Sequence, residues 1–154
     1  EAFDGMVAAI QAGNLEQAKT AAEALGETSY APLAALALAK GQLDAGDRDA
    51  AIATLRAAHS DEPGLATVIR HRLARLLVDA GQGEEALSLL AQAEEADALE
   101  TRGDAYFALG REDEARAQYE QALAKLDVAA PQRGLLELKL TQTGGTPDTT
   151  GTES

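Results

Sequence analysis

The chain has 154 residues, an apolar fraction of 45%, an aromatic fraction of only 3% and no cysteine. Its formal net charge of −13 argues against nucleic acid and against an anionic membrane surface as partners. The lack of cysteine excludes disulfides and thiol chemistry, and no apolar run reaches the roughly 18 residues that a membrane span needs. These values predict one domain-sized unit with a core built mainly from alanine and leucine.

Apolar residues recur at helical spacing along most of the chain, which predicts an all-α protein. The predicted helices, in chain order, cover residues 2–12, 15–25, 30–45, 48–59, 65–80, 84–93, 97–109, 112–126 and 131–141. Asp47 is a good N-cap for the fourth helix. We expect residues 1–142 to form the folded domain and residues 143–154, which have no apolar anchor, to form a disordered tail.

Glycines stand at regular intervals between predicted helices. They are Gly13, Gly46, Gly81 and Gly110, separated by 33, 35 and 29 residues. The residue five positions after each glycine is alanine, namely Ala18, Ala51, Ala86 and Ala115. A glycine in the left-handed conformation ends a helix, and a small residue lets two helices approach closely. The pattern therefore predicts four helix pairs, each joined by a tight turn.

The last unit carries the complete pattern of small and large residues that is typical of a tetratricopeptide repeat. Such a repeat has about 34 residues and consists of two antiparallel helices. Its members are Gly103, Tyr106, Gly110, Ala115, Tyr119 and Ala122. The sequence thus predicts a tetratricopeptide-like helical solenoid of about four helix pairs with a C-terminal capping helix. The shorter last interval predicts a trimmed loop between Ala93 and Leu99.

Residues 29–144 resemble the periplasmic domain of the YfgM-like ancillary subunit of the Sec translocon. The resemblance rests on SYAPLAALALAKGQLDAGDRDAAIATLRAA, VIRHRLARLLVDAGQGEEALSLL, ALETRGDAYFALGREDEARAQYEQAL and the closing LLELKL. It implies a non-catalytic protein-binding scaffold on the periplasmic side of the bacterial inner membrane. A single-pass N-terminal anchor, absent from this chain, would be its only membrane contact.

The same resemblance implies the partners. These would be the Sec translocon, a membrane-anchored periplasmic prolyl isomerase that acts as a chaperone, and unfolded or nascent secreted polypeptides. A second function stays open, a generic adaptor in cell-envelope assembly such as a pilus or cell-division accessory. An enzyme is a distant third.

No catalytic, metal or cofactor site is expected. His59 and His71 are the only histidines and lie on different predicted helices, whereas metal ligands must converge. Asp44, Asp47 and Asp49 resemble half of a calcium loop but lack its closing glutamate, so an N-capped turn is the simpler interpretation. No pairing of a nucleophile with a base can be assembled.

The first helix of each pair is expected to line the inner side of the superhelix. Its inward positions predict a protein-binding groove formed by Leu33, Leu36, Lys40, Leu43, Val68, His71, Arg75 and Phe107. Asp97, Glu100 and Asp104 would make one end of this groove acidic. The alternative is that several of the apolar members pack against neighbouring helices and never meet a partner.

Overall fold

The computed structural model describes residues 1–146, and this part of the chain contains nine helices and no strand. The helices are α1 (Ala2–Gln11), α2 (Leu15–Leu25), α3 (Ala31–Asp44), α4 (Arg48–Ala57), α5 (Pro63–Asp79), α6 (Gly83–Leu89), α7 (Ala96–Ala108), α8 (Glu112–Ala124) and α9 (Arg133–Gln142). Eight of them agree with the predicted bounds to within two residues, and the all-α class is confirmed. Among the described helices, none has the length and apolar content of a membrane span.

The four turn glycines adopt the conformation that the repeat pattern requires. Their φ angles are +76°, +85°, +78° and +77° at Gly13, Gly46, Gly81 and Gly110. At the last of these turns the Gly110 amide donates to the Phe107 carbonyl, and the Arg111 amide donates to the Tyr106 carbonyl at 2.9 Å. This pair of bonds satisfies carbonyls at the end of the helix and reverses the chain. The same bonding occurs at the other three glycines. The turns at Gly13, Gly46 and Gly110 thus close the helical hairpins α1–α2, α3–α4 and α7–α8.

The alanines five positions after each glycine are all completely buried, at Ala18, Ala51, Ala86 and Ala115. The second helix of the first two hairpins also begins with a side-chain cap, because Asn14 and Asp47 accept hydrogen bonds from the amides of Gln17 and Ala50. The predicted register of the repeat is therefore confirmed at its most restrictive positions.

The chain divides into two units, and the division falls inside α5. The first unit covers residues 1–76 and joins α1 to α2, α2 to α3, α3 to α4 and α1 to α3. Its core contains Met6, Ala9, Ala18, Leu25, Ala34 and Leu38. At Gly41 a side chain would lie 2.8 Å from Ile10, so this glycine permits the close approach of α1 and α3.

The second unit covers residues 77–154 and joins α6 to α7, α7 to α8 and α8 to α9. Its core contains Leu99, Ala115, Tyr119, Ala122, Leu123, Leu136 and Leu140. A side chain at Gly103 would collide with the ring of Tyr119. The small residue and the large residue of the repeat pattern therefore contact each other directly. Because α9 supplies Leu136 and Leu140 to this core, it packs on the last hairpin as predicted for a capping helix.

Helix α6 corrects one prediction. Residues 84–93 were expected to be helical with a trimmed loop after them, but α6 ends at Leu89 and a six-residue loop, 90–95, follows. The shorter repeat thus arises from a helix of only seven residues, not from a shorter loop. The Arg102 side chain on α7 donates to the Ala93 carbonyl at 3.2 Å, which holds the loop in a non-helical path.

The end of the folded domain also differs from the prediction. Thr143, expected to be the first residue of a disordered tail, is buried, and its carbonyl accepts hydrogen bonds from the guanidinium of Arg116. Its hydroxyl donates to the Leu140 carbonyl at 2.7 Å. Residues 147–154 of the predicted tail lie outside the described part of the chain.

Candidate protein-binding surfaces

Three of the four predicted groove residues on α3 are accessible. Leu33 and Leu43 are 42% and 43% exposed, which is high for leucine in a folded domain. Lys40 is exposed between them and forms an ion pair with Asp44 at 3.4 Å. Spacings of seven and four residues place Leu33, Lys40 and Asp44 on one face of the helix. This face can therefore offer both apolar and charged contacts.

Leu36 is different, because it is only 9% exposed. It lies one turn after Pro32 and one turn before Ala39, and both of these residues are buried. Leu36 is thus at the edge of the buried side of α3 and not on its accessible side. The prediction that Leu36 contacts a partner is corrected, and the alternative of internal packing holds for this residue.

Helix α5 carries the next predicted residues. Val68 is 38% exposed, Arg75 is exposed, and His71 is half-buried. The structure adds Arg72, which is exposed and shares a face with Val68 and Arg75 because the three are spaced by four and three residues. Within residues 1–146, no hydrogen bond or ion pair involves the side chain of Arg72 or Arg75. Helical spacing alone identifies Arg72, although the predicted groove did not include it.

Phe107 belongs to the second unit, where it is 43% exposed near the end of α7. The acidic residues one and two turns before it are engaged within that unit. The Lys139 ammonium on α9 lies 2.7 Å from a Glu100 carboxylate oxygen and 3.0 Å from an Asp104 oxygen. The Tyr119 hydroxyl donates to the other Asp104 oxygen at 2.7 Å. The predicted acidic end of the groove is therefore partly occupied by the capping helix.

Burial and charge set the protonation of this polar cluster. Burial by itself lowers the pKa of Lys139, but hydrogen bonds from its ammonium to Glu100 and Asp104 outweigh that effect and raise the pKa. Burial raises the pKa of Tyr119, and the hydrogen bond to Asp104 raises it further. The ammonium therefore stays charged and the phenol stays a neutral donor at neutral pH, so the cluster links α7, α8 and α9.

A cavity of about 970 Å³ lies in the first unit, at a place that no sequence motif marks as a site. It is bounded by α2, α3, α4, the start of α5 and the loops 26–30 and 58–62. Helix α3 contributes Ala31, Ala35, Leu38 and Gln42, which lie on the opposite side of α3 from Leu33 and Lys40. The first unit thus has two accessible surfaces on opposite sides of one helix.

Residues with metal-binding potential have other roles. Asp47 caps α4, Asp44 pairs with Lys40, and His59 lies 3.1 Å from Asp61. In the described part of the chain, no three histidine or carboxylate side chains are grouped so as to hold a metal ion. The expectation of an N-capped turn at Asp47 is confirmed.

Comparison with known proteins agrees with the helical hairpins, the turn glycines and the buried alanines. Residues 1–145 match the profile of the tetratricopeptide repeat-like domain. The chain belongs to this family. It also resembles the solved structure named MamA MSR-1 C2, with a TM-score of 0.62 and 21% identity over 91% of this chain and 81% of that one. No curated protein matches the chain.

Membership of the tetratricopeptide repeat-like family indicates a scaffold for protein–protein interactions. Such scaffolds are generally non-catalytic and bind protein partners. At 21% sequence identity, the similarity to MamA shows a shared fold only.

Proposed function

We propose that this chain is the periplasmic domain of an ancillary subunit of the bacterial Sec translocon. It would be held at the periplasmic side of the inner membrane by an upstream anchor. There it would contact unfolded or nascent secreted polypeptides and a membrane-anchored prolyl isomerase. The resemblance of residues 29–144 to the YfgM-like family supports this proposal, as does membership of a protein-binding family.

The proposal rests on exposed residues of α3 and of α5, and we propose that they form one surface, which we call the α3/α5 face. Its residues are Leu33, Lys40, Leu43, Val68, Arg72 and Arg75. In tetratricopeptide repeats, the first helices of successive pairs line the inner surface together. Lys40 is paired with Asp44, so the cations available to a partner are mainly Arg72 and Arg75. Apolar side chains beside these cations suit a polypeptide segment that carries apolar and acidic residues.

The expected affinity is modest. Each desolvated apolar anchor contributes roughly 1–2 kcal/mol, and three such anchors are available at Leu33, Leu43 and Val68. Tethering at the membrane raises the effective concentration of partners that share the same membrane. Weak contacts of this kind are appropriate for a scaffold that must release its clients.

The test uses the full-length protein in membranes. A double variant, Leu33→Glu with Val68→Glu, is crosslinked and its partners are identified by mass spectrometry. The matched control is Leu135→Glu with Leu138→Glu, which alters two exposed leucines of α9. We expect the first variant to lose translocon and isomerase capture and the control to keep it.

Two results would contradict the proposal. Unchanged capture by a folded Leu33→Glu, Val68→Glu variant would remove the α3/α5 face as the site. Capture of pilus or cell-division proteins without translocon subunits would instead support the generic envelope adaptor.

A further inference from the structure

The cavity of the first unit has walls of unusually small side chains. Seven alanines line it, at positions 22, 31, 35, 50, 53, 57 and 58. At about 970 Å³ it is as large as a typical ligand-binding pocket. Because its walls contribute so little side-chain volume, a complementary occupant must bring large apolar side chains of its own. We call this cavity the α2/α4 groove.

The charged residues that line the α2/α4 groove are mainly acidic. Glu23 comes from α2 and Glu27 from loop 26–30, whereas Asp61 and Glu62 come from loop 58–62, where His59 lies 3.1 Å from Asp61. Lys19 is the one lysine or arginine among the lining residues. A segment bearing several lysines or arginines would therefore be attracted to these carboxylates, whereas an acidic segment would be repelled.

The backbone of the groove favours a helical occupant. Three of its walls are α-helices, whose amides and carbonyls are bonded within the helices themselves. The groove offers no strand edge, so an extended segment would have to satisfy its amides and carbonyls with water, loops or lining side chains. A helix satisfies those groups internally and presents its large side chains along one face.

We propose that the α2/α4 groove binds a cationic amphipathic helix of a partner protein. Large apolar side chains of that helix fill the space between the alanines, and its lysines or arginines pair with Glu23, Glu27, Asp61 and Glu62. The groove lies on the opposite side of α3 from Leu33 and Lys40, so the first unit can hold two partners of opposite charge. This inference does not depend on the assignment to the translocon.

The probe is a labelled synthetic helix of about 18 residues, or five turns, with leucines on one face and lysines on the other. Binding is measured by fluorescence anisotropy. A peptide of the same composition with a scrambled order serves as the reference for attraction by charge alone. We expect the amphipathic peptide to bind at least about tenfold more tightly than the scrambled one.

A steric variant separates the groove from general attraction to an acidic protein. Ala53→Trp fills the groove without changing any charge, and its matched control is Ala117→Trp, at an exposed alanine of α8. We expect Ala53→Trp to weaken binding by about tenfold or more, and Ala117→Trp to change it by less than about twofold. Far-ultraviolet circular dichroism verifies that both variants stay helical.

A charge variant keeps the proposal testable if Ala53→Trp does not fold. Glu23→Lys with Glu27→Lys reverses the charge of two lining residues, and Glu120→Lys with Asp127→Lys makes the same change of net charge in the second unit. We expect only the first pair to weaken binding by about tenfold or more.

Three outcomes would overturn the proposal. The first is equal binding of the amphipathic and scrambled peptides. The second is equal loss of binding in the two charge variants. The third is self-association of the chain that Ala53→Trp abolishes, because a second copy would then occupy the groove.

Discussion

Both units contain the same kind of helical hairpin, but the surroundings of the hairpin differ between the two units. In the first unit, α3 keeps Leu33, Lys40 and Leu43 accessible on one side and borders a cavity on the other. In the second unit, α9 inserts Leu136 and Leu140 into the core and places Lys139 against Glu100 and Asp104 of α7. The comparison shows that one repeat pattern can leave an accessible surface in one place and form a closed end in another.

The two units also differ in their formal net charge. Residues 1–76 contain 7 Lys or Arg and 10 Asp or Glu, whereas residues 77–154 contain 6 and 16. The formal charge is thus −3 in the first unit and −10 in the second. The first unit is therefore much less acidic than the overall net charge suggests. Its helix α5 exposes three arginines, Arg70, Arg72 and Arg75. An acidic chain can still offer a local cationic surface.

The largest expected effect concerns the closure of the second unit. Leu136→Ala removes a completely buried side chain from α9 and should lower the free energy of unfolding by about 2–5 kcal/mol. The neighbouring Leu135→Ala is the control, since Leu135 is exposed and should change stability by less than about 0.5 kcal/mol. Urea denaturation measures both. Equal values for the two variants would show that α9 does not close this unit.

A second prediction tests the register of the hairpins. Ala115→Leu overpacks a completely buried position and should cost roughly 1–3 kcal/mol. Ala117→Leu, two residues later on the exposed side of α8, should be nearly neutral. Thermal unfolding compares the two variants. An unchanged melting temperature for Ala115→Leu would count heavily against the register.

A third prediction concerns the polar link between α7 and α9. Lys139→Met leaves Glu100 and Asp104 half-buried without their cation and should cost about 1–2 kcal/mol, since partial exposure weakens the penalty. Lys40→Met removes the exposed pair with Asp44 and should cost less than about 0.5 kcal/mol. Chemical denaturation measures the free energy of unfolding of both variants. An equally small loss of stability in the two would show that Lys139 does not link α7 to α9.

The smallest effect appears at alkaline pH. The pKa of Tyr119 is raised above its ordinary value of 10.0 by burial and by its bond to Asp104. The folded state therefore favours the neutral phenol, and the stability that this provides is intact below pH 10 and lost as pH rises further. Tyr119→Phe removes this contribution, so its stability should decline less steeply above pH 10. If the stability of the wild type and of Tyr119→Phe fell equally steeply above pH 10, Tyr119 would not be the source of this pH dependence.

The sequence predicted the hairpins because their determinants are local. A turn glycine and the alanine five residues later act within one pair of helices, so Gly110 and Ala115 reveal both the turn and the contact. Asp47 likewise caps a helix whose first turn follows it directly. Such features need no knowledge of distant parts of the chain.

The errors arose where a distant residue decides the outcome. Residues 90–93 favour a helix by composition, but Arg102 holds the Ala93 carbonyl in a loop. Leu36 has the spacing of an accessible residue, yet it is only 9% exposed. Lys139 reaches carboxylates 35 and 39 residues away. The α2/α4 groove depends on space left by alanines, which no motif records.

Site-specific photocrosslinking tests the central claim, that partners bind the accessible face of the first unit. A photoreactive phenylalanine replaces Leu33, Val68, Val128 or Leu138, one at a time, in the full-length protein in membranes. All four positions are exposed, the first two on α3 and α5 and the last two in the second unit. The account predicts that polypeptide is captured mainly from positions 33 and 68. Capture mainly from positions 128 and 138 would contradict it.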